Sequence, residues 1–200
     1  MSPITSLSQL DPNGTYTYAD YLTWEFDEFV ELIKGKVLRP MDGAGRRHQQ
    51  LSKRLGYSIE TQLRRSQCEM YFVPFDVRLM RSVGSGDAQI TTVVQPDIFV
   101  VCDTAKLDER GCLGAPDWII EIVSPGNLKH DTKTKFDLYE EAGVQEYWVV
   151  FPGEKTILAY VLDAHGRYQI AAEYAEPGPM PVAVLPGLAV EWSEVFDELS

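Results

Sequence analysis

Apolar residues recur along this chain at two spacings, and each change of spacing marks an element. From Arg46 to Arg65 the leucines and isoleucine at 51, 55, 59 and 63 return every fourth residue, with Arg and Lys over the rest of the surface, as in an amphipathic helix. "YFVPFDVRLM" then changes to period two. Val73, Phe75, Val77 and Leu79 fall on one face and Asp76 and Arg78 on the other, which predicts one half-buried strand. After the "VGSGD" loop, Val- and Ile-dense runs at about 92–102 and 117–124 read as internal strands. A helix is expected over about 132–142, ended by Gly143, with "EYWVVF" as the strand that follows. Upstream, "TYAD" has the form of a capping box opening a short helix through about Trp24, and "FVELIKGKVLRP" reads as a hairpin about Lys34-Gly35. Downstream, "TILAYVLDAHGRYQIAAEY" predicts another hairpin, and "VAVLPGLAVEW" a further strand before a short acidic helix. The central order is helix, three strands, helix, strand. It predicts an α/β (mixed α+β) fold, a central mixed sheet flanked by helices with additional N- and C-terminal strands. No repeat, low-complexity tract or linker interrupts the chain, so residues 1–200 read as a single domain.

Two of the internal strands carry carboxylates where the pattern asks for core. Asp97 opens "DIFVV", and Glu121 lies inside "WIIEIV" on the face of Ile119 and Val123. A charge taken out of water is costly unless something pairs it. On a wheel of the 132–142 helix, Phe136, Leu138, Tyr139 and Ala142 span one side, Lys133, Asp137, Glu140 and Glu141 the other, and Lys135 falls in the middle of the apolar arc. Its stem could run out to solvent. Beside two inward carboxylates it makes chemical sense instead. Two acids 24 residues apart on adjacent strands can hold a hard divalent cation and leave positions for water and phosphate. A lysine nearby can orient or deprotonate that water and offset charge on phosphorus. Structural ion pairs produce the same pattern. Asp117 stands at a strand entrance, where a turn or capping role is expected. Asp76, on a polar strand face, reads as solvated or supporting rather than as a direct ligand.

Charge and cysteine usage narrow the classes. The net charge of −12 argues against a generic nucleic-acid coat. Yet nine of the 18 Lys and Arg residues fall in residues 34–65, against two acids, so that stretch forms either a basic face or a solvated helix. Three cysteines without metal-ligand spacing suggest reduced, buried thiols and a cytoplasmic setting. The N-terminal residues have no signal-peptide pattern, and no apolar run approaches the roughly 20 residues of a membrane span.

The strings "QPDIFVV", "GAPDWIIEIVSPGN" and "DTKTKFDLYEEAGVQEYWVV" resemble the Uma2 family of restriction-endonuclease-like proteins, within the PD-(D/E)xK nuclease superfamily. The resemblance covers nearly the whole chain, including "FVELIKGKV", "RRHQQLSKRL" and "VLPGL". It implies a restriction-endonuclease-like core and an Mg²⁺-dependent endodeoxyribonuclease, with Mn²⁺ as a substitute. Asp97 takes the position of the motif aspartate and Glu121 that of the motif acid. The superfamily's lysine stands two residues after that acid, where this chain has Val123; Lys135 matches the migrated position of the family. Glu31 matches the acid of the family's Glu-Leu-Ile-x-Gly stretch, with Val30 in place of its usual tyrosine, and His48 matches the histidine opening the basic helix. The resemblance thus implies Asp97, Glu121 and the Ile122 carbonyl as metal ligands, Lys135 activating water, and Glu31 holding the metal or placing water. Arg46, Arg47, His48, Lys53 and Arg54 would lie along DNA, and cutting both strands favours a homodimer. A catalytically silent regulatory or scaffold protein with the same fold is the alternative, because the acidic surface and displaced lysine both allow it. A glycosidase with paired carboxylates fits less well, because Trp118 and Trp148 belong to strand patterns rather than to an open sugar cleft.

Overall fold

Period-two and period-four segments become strands and helices close to where the pattern puts them. A computed structural model describes residues 3–39, 45–64, 66–80, 86–124 and 130–197. Its helices are α1 (Tyr18–Tyr21), α2 (Arg46–Leu63), α3 (Phe136–Ala142) and α4 (Trp192–Phe196), with a π-helical turn, His130–Lys135, leading into α3. Its strands are β1 (Glu31–Ile33), β2 (Lys36–Leu38), β3 (Glu69–Phe72), β4 (Asp76–Arg78), β5 (Val93–Val94), β6 (Ile98–Val101), β7 (Leu107–Asp108), β8 (Gly111–Leu113), β9 (Trp118–Ile122), β10 (Glu146–Phe151), β11 (Thr156–Leu162), β12 (Tyr168–Tyr174), β13 (Pro179–Pro181) and β14 (Ala189–Glu191).

The larger sheet has the order β12-β11-β10-β9-β6-β3 and is mixed: β9 and β10 run parallel, and the other neighbours are antiparallel. Its central members follow the expected order of helix (α2), three strands (β3, β6, β9), helix (α3) and strand (β10). A second sheet, β2-β1-β5-β4-β8-β7, holds the N-terminal hairpin. That hairpin turns through Lys34 and Gly35, both at positive φ (50° and 79°), the geometry of a tight turn matched to strand twist. Strand alternation sends side chains of the larger sheet to two cores. Ile98, Val100, Trp118, Ile120, Ile122, Trp148 and Val150 meet α2, α4 and the β13–β14 ribbon. Phe99, Val101, Ile119, Val123, Tyr147 and Val149 meet α3 and the second sheet. Trp118 and Trp148 pack edge to face at 4.8 Å and are core residues, as expected.

Three sequence expectations are corrected. The 71–80 stretch is two strands in different sheets: β3 pairs with β6, whereas β4 lies between β5 and β8. Pro74 cannot donate to a ladder, and Val73, assigned to a buried face, is 36% exposed. Because β4 is internal, Arg78 is also buried rather than outward, its Nη2 donating to Asp108 Oδ1 at 2.7 Å and to the Gly111 carbonyl at 3.2 Å. The 92–102 run divides in the same way, β5 in one sheet and β6 in the other, so that Gln95-Pro96-Asp97 crosses between them. Finally, Cys68 and Cys102 are bonded to each other, not reduced. They are 34 residues apart, and the β3–β6 register, Glu69 opposite Val101, brings them face to face. Cys112 is the buried thiol that had been expected, and burial pushes it up to about 12.

Candidate active site

The crossing between the sheets gathers the carboxylates. Asp97 immediately precedes β6, and the antiparallel β6–β9 register, Ile98 opposite Ile120, brings Asp97 alongside Glu121 at the next step. The Asp97 Oδ2 accepts the Ile122 N–H at 2.7 Å and lies 3.0 Å from His48 Nε2. His48 reaches it because it sits on the buried stripe of α2, with Leu55 and Ile59, rather than on the outward face.

Glu121 is held from the opposite side by α3. Lys135 and Tyr139 are four residues apart, so both point from one helical face. Lys135 Nζ lies 2.9 Å and the Tyr139 hydroxyl 2.7 Å from the same atom, Glu121 Oε1. The lysine also lies 3.0 Å from Glu31 Oε1, on β1. All four groups are almost fully buried, with Glu31 and Glu121 at 3%, Lys135 at 5% and Tyr139 at 0% exposure. Glu31 Oε1 accepts the Gln95 N–H at 3.2 Å, and Gln95 Nε2 donates to Asp76 Oδ1 at 2.9 Å. Tyr18 donates to Asp76 at 3.1 Å and Tyr21 at 3.4 Å. Asp76 is therefore a half-buried anchor for the segment between the sheets, not a solvated group.

Burial, reinforced by the Glu121 and Glu31 charges, raises the Tyr139 phenol well above its ordinary 10.0, so it stays a proton donor at any physiological pH. Tyr18 and Tyr21 are likewise raised, by burial first and then by the Asp76 carboxylate. A carboxylate pair bridged by one ammonium carries a net negative charge and can hold or orient a cationic group.

Of the residues singled out in the sequence, Lys135, Glu121 and Glu31 share direct contacts, and Asp97, Ile122 and His48 share others. Arg46, Arg47 and Lys53 are exposed on α2. Arg54 is not part of that surface: its Nη1 donates to the Val195 carbonyl at 3.1 Å and to the Asp197 carbonyl, clamping α2 to α4. Asp117 accepts the Cys102 N–H at 2.7 Å, a backbone role as expected of a strand entrance. Sequence reasoning missed Tyr139 as a donor, because a tyrosine on an apolar arc reads as core, although its four-residue spacing from Lys135 was there to be used. It also missed Gln95, which has no pattern of its own.

This arrangement accompanies a family match over most of the chain: the sequence pattern of the Uma2 family, described as "Putative restriction endonuclease", matches residues 18–193. The chain belongs to the Uma2 family. An uncharacterized protein of Synechocystis sp. is 26% identical over 157 residues, 74% of this chain and 72% of that protein. A crystal structure from Anabaena variabilis, described as "a putative nuclease belonging to DUF820", aligns with a TM-score of 0.67 at 22% identity, covering 92% of this chain and 99% of that one. At that identity the likeness is one of fold. It bears out the mixed α+β architecture, with central mixed sheets flanked by helices. Among the described residues no helix is long and apolar enough to cross a membrane.

Proposed function

We propose that this Uma2 protein is a metal-dependent endonuclease hydrolysing phosphodiester bonds of DNA. The observation that carries the reading is the Lys135 ammonium buried between Glu31 and Glu121, one residue from the Ile122 amide that holds Asp97. Structural ion pairs also bury charge, but a lysine held between two acids beside Asp97 is the set that metal-assisted phosphoryl transfer uses.

Mg²⁺, or Mn²⁺ in its place, fits the donor chemistry, because the acids offer hard oxygen ligands and the Lys135 nitrogen already marks a cationic position between two of them. Among the described residues no three His, Cys, Asp or Glu side chains form a group that could hold a metal ion. Mg²⁺ is commonly held by one or two carboxylates, with waters and substrate phosphate completing the shell. Asp97, Glu121 and the Ile122 carbonyl would hold the ion, and when bound it would supply charge stabilisation at the phosphate and a more acidic water. Lys135, as an ammonium, would donate to the attacking water and orient it, and Glu31 keeps that lysine in place. Tyr139 donates to Glu121 and so fixes which carboxylate oxygen turns away from the helix. His48 orients Asp97 from α2. Arg46, Arg47 and Lys53 contact the phosphate backbone, and a homodimer would present two such sites to the two strands. A cytoplasmic setting is proposed from the DNA substrate alone; the bonded Cys68 and Cys102 weigh against it, since disulfides are rare in reducing compartments.

The test is cleavage of supercoiled plasmid by the purified chain with Mg²⁺, with Mn²⁺ and with EDTA. Cleavage that needs the metal and drops at least 100-fold in Asp97→Asn, Glu121→Gln and Lys135→Ala is expected. A folded protein with no metal-dependent cleavage would favour the silent regulatory or scaffold alternative.

A further inference from the structure

The outward face of α2 carries more than positive charge. Arg46, Lys53, Tyr57 and Arg64 are separated by seven, four and seven residues, which brings all four within about 20° of one line along the helix. All four are exposed, and Tyr57 is 74% exposed, more than any other large hydrophobic side chain described. On a helix whose inner stripe is Leu51, Leu55, Ile59 and Leu63, a tyrosine standing in solvent contributes nothing to the core. Glu60, exposed about 40° from this line, offsets one of its three cations, so the face is net basic in a protein of net charge −12.

A second exposed aromatic joins this face to the site. The Phe72 ring lies against α2 at Gly56, so close that a Cβ there would come within 2.2 Å of it, yet Phe72 remains 40% exposed. The next residue, Val73, also surfaces, and its N–H reaches the Asp97 carbonyl at 3.4 Å. Phe72 and Val73 thus lie between α2, at Gly56, and the backbone of Asp97.

We propose that Tyr57 and Phe72 are a base-stacking surface, and that the substrate presents unpaired bases beside the site: a single strand, or a locally opened duplex. This rests on the nuclease reading and adds the strandedness of its substrate. Cations in line with an exposed ring suit a polymer that is anionic along its backbone and aromatic along its bases. In an intact duplex the base faces are already stacked on one another, and Tyr57 would have nothing to cover.

The experiment measures binding of the full-length protein in EDTA to a labelled 20-nucleotide oligo-dT and to the corresponding oligo-dT·oligo-dA duplex. Tyr57→Ala should weaken single-strand binding about tenfold with the salt slope unchanged, and Tyr57→Phe should retain it. Lys53→Ala should instead reduce the salt slope by about one. Phe72→Leu, which keeps a side chain against Gly56, should weaken single-strand binding as Tyr57→Ala does. Tyr57→Ala binding the single strand as tightly as wild type, or a wild-type preference for duplex, would overturn the stacking proposal while leaving the nuclease reading intact. A change in sedimentation of the free protein caused by Tyr57→Ala would assign the face to a second copy of the chain, and would overturn the proposal equally. If the wild type bound neither oligonucleotide, the nuclease reading itself would fail, taking this proposal with it.

Discussion

Two glutamates, Glu121 and Glu146, are buried in neighbouring strands, and the contrast between them shows what a buried acid does and does not signify. They sit on the parallel pair β9 and β10, at 3% and 1% exposure. Glu146 is held by neutral donors: Trp148 Nε1 at 2.6 Å on one oxygen and the Val184 N–H at 2.9 Å on the other. Burial is the leading influence on it and raises its pKa, against those hydrogen bonds. Glu121 meets a cation and a phenol on a single oxygen, and that cation is shared with another carboxylate. Neutral donors stitch a strand to a loop. An ammonium shared by two acids keeps charge in a place where folding alone would expel it. What a buried carboxylate is paired with, not its burial, separates the candidate site from the scaffold.

The comparison breaks most readily at Lys135. Lys135→Met would leave Glu31 and Glu121 facing each other without their cation, and about 3–5 kcal/mol of stability should be lost in urea unfolding at pH 7. Adding Glu31→Gln to that variant should restore part of the loss, and a double variant as unstable as the single one would deny the shared-ammonium arrangement. Glu121→Gln should cost less, about 1–2 kcal/mol, because the amide oxygen can still accept and Lys135 keeps Glu31. On the same metal-free protein, calorimetry should show Mg²⁺ affinity falling at least tenfold. A stability loss as large as that of Lys135→Met with unchanged Mg²⁺ affinity would make Glu121 a structural ion-pair partner.

Tyr139→Phe removes one donor from Glu121 and should cost about 1 kcal/mol. It carries its own pH signature. A phenol whose folded pKa lies above its unfolded value contributes stability that is complete below about 10 and is lost as pH rises further. The wild type should therefore lose stability on the alkaline side more steeply than Tyr139→Phe, and parallel alkaline curves would refute this. Glu146→Gln should cost about 1 kcal/mol near pH 4, because its one amide oxygen cannot accept from the donors that Glu146 holds on two oxygens. With its folded pKa raised above the ordinary 4.5, Glu146 contributes stability that is present below 4.5 and lost as pH climbs through the folded value. The variant should thus gain on the wild type between pH 4 and 7, and thermal unfolding across that range would reveal a missing trend.

Much of the site could be read from the sequence because charge in the wrong place stands out against a periodic background. Asp97 and Glu121 interrupt Val- and Ile-rich strands, and Lys135 interrupts an apolar arc. Tyr139 did not stand out, because its ring satisfies the apolar pattern while its hydroxyl makes the contact. Nor did His48, whose place among the cations at the start of α2 concealed that it lies on the stripe turned toward Asp97. Arg54 looked identical to Lys53 in composition, yet one faces solvent and the other ties α2 to α4.

Local periodicity, capping and turn chemistry determined by themselves where the helices and most strands lie, since those depend on neighbours within a few residues: α2, the Lys34-Gly35 hairpin, α3 and its end at Gly143. Which sheet a strand joins is a question of distant partners, and only the tertiary structure decided it. The alternation of residues 71–80 is equally consistent with one long strand or with two short ones in different sheets, and the same holds for 92–102. Pro74 and Pro96 each lie where the chain leaves one sheet for the other, and the second crossing is what delivers Asp97 to Glu121. The Cys68–Cys102 bond follows from the same cause, a register between β3 and β6 that no spacing along 34 residues of sequence reveals.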